Sequence, residues 1–173
     1  MTGDGVSPRW DRPGIPRKGW SCLDVEDHEE PDFQCELCGY PEVRFVHVME
    51  HPEFPGPLLV GCVCAGHMEG DYAAPRERER EARNRAQRRQ RWCRSTFWRT
   101  SAKGNLWRKV GGVRVVIFPS PRGDGRWRAM IGERYGALSH PTPQAAMLAV
   151  FNRLFPPNRL RPGVELPGER GYR

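Results

Sequence analysis

The chain has 173 residues and a mass of 19.9 kDa, room for one compact domain or two small ones and too little for a large multi-domain enzyme. Apolar residues make up only 38%, and 19 Gly with 17 Pro leave about a fifth of the chain ill-suited to helix or strand interiors. No apolar run reaches the length of a membrane span, and MTGDGVSPRW lacks the apolar core of a secretory signal. The expectation is therefore a cytoplasmic protein of two modest units, neither membrane-bound nor a secreted disulfide scaffold.

The net charge of +7 conceals a sharp polarity. Residues 1–74 carry 5 Lys/Arg against 14 Asp/Glu, residues 75–104 carry 11 against 3, and residues 105–173 carry 12 against 4. An acidic first part of −9 thus precedes a basic remainder of +16, a pattern that points the basic part toward a polyanion.

In chain order, residues 1–31 form an acidic, Gly/Pro-rich arm, expected to be extended, with Trp10 and Trp20 as its large anchors. Residues 32–74 hold four cysteines and three histidines and read as a small metal module. Residues 75–100 read as a basic helix and linker, with Pro75 at its first position and i,i+4 pairs Glu79–Arg83 and Glu81–Arg85. Its apolar stripe, Ala82 and Ala86, is too thin to bury a face. Residues 101–156 form a second unit. Strands are expected at Leu106–Lys109, Val113–Phe118 and Arg126–Ile131, with a shorter one near Tyr135–Leu138. SPRGDG at 120–125 is the turn between two of them. A helix capped by Thr142 and opened by Pro143 then carries Met147, Val150, Phe151 and Leu154 on one face. The tail 157–173 is irregular. The fold class is α+β: a zinc-knuckle β-hairpin module, a basic linker helix, and a three-stranded antiparallel sheet packed on one C-terminal helix.

Cys35-x-x-Cys38-Gly39 has the spacing of a zinc knuckle, and Cys62-x-Cys64 supplies a second pair after 23 intervening residues. The site expected is Cys35, Cys38, Cys62 and Cys64 around one structural Zn2+. Sharing one ion requires the chain to bend at Cys62–Cys64, because i and i+2 of an extended strand lie too far apart. His67, from Cys64-Ala-Gly-His67 as in treble-clef modules, and His47 remain rival ligands. The string His47-Val-Met-Glu50-His51 also spells the inverted zinc-peptidase pattern, which would leave a zinc hydrolase as a remote alternative. That chemistry needs a helix, whereas the β-branched approach and Pro52 favour extended chain.

Arg83, Arg85, Arg88, Arg89 and Arg91 cluster in the basic helix, with Trp92, Phe97, Trp98 and Trp107 close by, the mixture of phosphate-binding charge and stacking surface found in nucleic-acid binders. The C-terminal unit adds GVR at 112–114, GRWRAMI at 125–131 and TPQAAMLAVF at 142–151. In this order it resembles the AP2-type DNA-binding domain and the arm-binding domains of some tyrosine integrases. The resemblance covers about 50 residues. It implies a three-stranded sheet laid in the major groove and a helix behind it, with Arg114 and Arg134 toward DNA and Trp127, Ala129 and Ile131 toward the core; Arg126 and Arg128 join the two arginines as candidate contacts to the nucleic-acid backbone. Met130 and Gly132 depart from the polar residues usual on the family's DNA-facing side. The function expected is non-enzymatic: a zinc-containing nucleic-acid-binding protein, duplex DNA favoured over RNA, a regulator or accessory factor of bacterial or mobile-element type. The alternative is an adaptor whose residues 1–74 bind a protein partner.

Overall fold

The computed structural model describes residues 13–157, so Trp10 and almost all of the tail lie outside the described residues. Within them the chain forms two compact units, residues 13–84 and 85–157.

In the first unit β1 (Ser21–Asp27), β2 (Phe45–Glu50) and β3 (Leu58–Val60) form an antiparallel sheet in that order. Strand β2 is central and buried from Phe45 to Met49, as its run of Val and aromatic residues requires. Part of the expected arm is therefore a strand. Composition hid it because SCLDVED carries three carboxylates, but pairing with β2 from Ser21↔Glu50 to Asp27↔Phe45 fixes it, and the Asp24 carboxylate accepts the Val25 N–H at 2.8 Å. Trp20 is buried and donates from Nε1 to the Pro16 carbonyl. The main core gathers Trp20, Leu37, Val46, Met49 and Val60 against Ala65 and Met68 of α1 (Cys62–Glu69). Helix α1 ends at Gly70 in the left-handed conformation. Helix α2 (Ala73–Trp92) begins where Asp71 Oδ1 accepts the Ala73 N–H at 2.7 Å, so Pro75 sits within the first turn rather than at its start. Arg78 grips both oxygens of Glu69 at 2.8 Å and ties the first turns of α2 to α1.

In the second unit β4 (Arg99–Thr100), β5 (Leu106–Val110), β6 (Val113–Pro119), β7 (Trp127–Ile131) and β8 (Arg134–Tyr135) form a five-stranded antiparallel meander. The three expected strands are its centre, and the two-residue edges extend it. Gly111 and Gly112, both at positive φ, make the two-residue hairpin that brings Val110 opposite Val113. Helix α3 (Pro143–Leu154) opens as expected, with Thr142 Oγ1 accepting the Ala145 N–H at 3.1 Å. It lays Ala146, Met147, Val150 and Phe151 on Val115, Ile117 and Ala129 of the sheet. Trp92, the last residue of α2, completes this core and donates to the Met147 carbonyl at 2.8 Å. Polar as α2 is along its length, its residues Pro75 and Trp92 are buried.

Candidate metal centre and basic sheet face

The knuckle is built by a local framework. Phe33 and Val43 bridge across its base, Gly39 turns the chain at φ 79°, and its N–H donates to the Cys35 carbonyl at 2.8 Å. The loop docks on β3 through Glu36, whose N–H meets the Leu59 carbonyl at 3.0 Å and whose carboxylate accepts the Leu59 N–H at 2.7 Å. The Gly61 N–H, at the head of α1, approaches Cys35 Sγ at 3.5 Å. The sulfurs of Cys35, Cys38 and Cys64 all lie within 4.8 Å of one another, so these three cysteines could hold a metal ion. Cys35 and Cys64 are buried and Cys38 half-buried. The Cys35 thiol is held down at about 5, chiefly by its hydrogen bond with Cys64; burial opposes this, and the N–H groups of Cys38, Gly61 and Leu37 assist. A buried thiol already favoured as thiolate, beside two others, suits a soft divalent cation.

The fourth expected cysteine is not in this group. The Cys62–Cys64 segment is neither strand nor bend but the first turn of α1, where i and i+2 stand about 200° apart around the axis. Cys62 faces the Glu79 carboxylate instead, and burial first, then that carboxylate, pushes its thiol up to about 11. His47 is not a ligand either. It lies fully buried on β2, donating from Nε2 to the Pro75 carbonyl at 3.2 Å. His51 follows the end of that strand against the Trp20 ring, its Nδ1 accepting the Glu53 N–H at 3.1 Å. The H-x-x-E-H string is therefore extended, without the helical face its zinc chemistry needs.

The second candidate is the face of the five-stranded sheet opposite α3. Alternation from the buried Val115, Ile117 and Ala129 sends Trp107, Lys109, Arg114, Val116, Phe118, Arg128 and Met130 to that face. Arg99 and Tyr135 join it, shown by the guanidiniums of Arg99 and Arg114 over the Trp107 ring at 5.7 and 5.0 Å and by Tyr135 edge-on to Phe118 at 6.0 Å. None of strands β4–β8 contains an Asp or Glu. Arg99, Lys109, Arg114 and Tyr135 are exposed, and Trp107, Phe118 and Arg128 are half-buried.

The expected basic residues divide. Arg114 and Arg128 meet on this face, although Arg128 also donates to the Gly136 carbonyl at 2.7 Å. Arg126 is tied to Ser139 through Nε–Oγ at 2.8 Å and to its carbonyl at 2.7 Å. Arg134 stands opposite the core-facing Ile131 and belongs to the other side. On α2, Arg83 pairs with Glu79 at 2.6 Å. Arg85 donates to the Phe155 carbonyl at 3.0 Å and to Asn152 at 2.9 Å, and Arg88 stacks 4.5 Å from the Phe155 ring. Arg89 is half-buried, and Arg91 lines a shallow groove with Arg94, Ser95 and Thr96. Arg99, Lys109 and Tyr135 were missed: the alternation of Trp107, Arg108 and Lys109 along β5 signals Lys109, whereas Arg99 and Tyr135 lie on two-residue edge strands too short to show a period. Arg108 takes the inner side of that alternation, its guanidinium 4.0 Å from the Trp92 ring. No helix of the described residues is long and apolar enough to cross a membrane. No family model, curated protein or solved structure matches the chain.

Proposed function

We propose that the protein is a zinc-containing nucleic-acid-binding accessory factor of the cytoplasm, which binds through the outer face of the five-stranded sheet. One observation carries this reading: nine side chains on one sheet face include Arg99, Lys109, Arg114 and Arg128, three aromatic rings and no carboxylate. Such a face attracts phosphate over its whole area, while Trp107 and Tyr135 offer surfaces for sugar or base. The AP2-type resemblance places duplex DNA on the corresponding face, and duplex DNA is the first substrate to try. One Zn2+ on Cys35, Cys38 and Cys64 serves structure in this reading. It fastens the knuckle to α1 and supplies no reactive group.

Binding of the full chain to duplex DNA, single-stranded DNA and structured RNA, measured by anisotropy from low to moderate salt, tests the proposal. Affinity for nucleic acid falls steeply with salt, and Arg99→Glu with Arg114→Glu weakens it roughly tenfold or more. Charge reversal of Arg76 and Arg80, on α2, has the smaller effect. No retention of any of the three at low salt sinks the reading.

A further inference from the structure

Three thiolates leave a tetrahedral Zn2+ one ligand short. The expected completion by Cys62 is excluded by the phase of α1, since a residue two positions before Cys64 stands on nearly the opposite side of the helix. The position that shares the flank of Cys64 is three residues on, about 60° away, and it is occupied by His67.

We propose that His67 is the fourth ligand, completing a Cys35, Cys38, Cys64, His67 site, and that Cys62 takes no part in it. This rests on the metal reading given above. His67 is half-buried and lies outside the 4.8 Å group of sulfurs, so the proposal requires its ring to turn about its side-chain bonds, on a fixed helix, to meet the ion. Of the two rivals, His47 lies on β2 with Nε2 at the Pro75 carbonyl, and Cys62 is turned to Glu79. Charge favours the same choice. Three thiolates and a neutral imidazole around Zn2+ leave one net negative charge where four thiolates would leave two, and residues 1–74 already carry 14 carboxylates against 5 cations.

Cobalt substitution of the full-length protein reads out the ligand set without reference to function. Wild type, Cys62→Ser, His67→Ala and His67→Cys are titrated with Co2+ and then back-titrated with Zn2+. The expected result is one ion per chain, with Cys62→Ser matching wild type in spectrum and affinity. His67→Ala binds roughly tenfold more weakly or worse, with altered ligand-field bands. His67→Cys restores tight binding and raises the sulfur-to-cobalt charge-transfer intensity by about a third, as three thiolates become four. The proposal is overturned if Cys62→Ser loses a share of that intensity, or if His67→Ala leaves both spectrum and affinity unchanged. Failure of wild type to bind either ion defeats the metal reading itself, a result distinct from both.

Discussion

His47 shows how one buried side chain makes stability depend on pH. Its ring is fully buried on β2, and desolvation, only partly offset by the bond to the Pro75 carbonyl, holds its pKa at about 4 against an ordinary 6.5. Below pH 6.5 the unfolded chain takes up a proton that the folded chain refuses until about pH 4, so stability is lost as pH falls through that window. Wild type should lose on the order of 3 kcal/mol more than His47→Gln between pH 7 and pH 4, measured by urea unfolding of both proteins at each pH. Equal losses would show that the imidazole titrates freely. In the sequence the residue was legible only as a candidate zinc ligand, by itself or within the H-x-x-E-H string. Its burial depends on α2 crossing β2, a contact between positions 28 residues apart.

At the scale of elements, α3 is the best-announced part of the chain. Thr142, Pro143 and the spacing of Met147, Val150 and Phe151 are local signals, and the structure uses each for its usual purpose. Thr142→Ala should cost about 1 kcal/mol in unfolding free energy, and Thr142→Ser should restore most of it, because only the hydroxyl that accepts the Ala145 N–H matters. Helix α1 is the opposite case. Eight residues with one Gly and two Cys give almost no periodic signal, yet their being helical decides which cysteine joins the candidate metal site. Strand β1 was hidden for a related reason, since its acidic composition outweighed the apolar positions Cys22, Leu23 and Val25 until the pairing with β2 was known.

Across the whole molecule the candidate metal site belongs to one unit and the basic sheet to the other. On the proposed reading a metal on Cys35, Cys38 and Cys64 fastens the knuckle to α1 in residues 13–84, whereas residues 85–157 have a core of Trp92, Val115, Ile117, Val150 and Phe151 with no cysteine in the candidate site. Chelation should therefore remove hydrogen-exchange protection from amides around Cys35, Leu59 and Gly61, and leave those of β5, β6 and β7 protected. Equal loss in both units, read by exchange mass spectrometry with and without chelator, would contradict a structural metal confined to the first.

By itself the sequence determined the segregation of charge, the knuckle spacing at Cys35 and Cys38, the central strands β5 to β7 and the capped helix α3. All of these are recorded in neighbouring residues, through composition, period-two alternation or cap chemistry. Tertiary structure alone decided that Cys64 joins the knuckle while Cys62 turns to Glu79, that Arg114 and Arg128 share a face with Arg99 and Tyr135, and that Arg85 and Arg88 are drawn onto Asn152 and Phe155. Those outcomes depend on helical phase and on pairings between distant residues. A linear pattern of charges and thiols does not contain them.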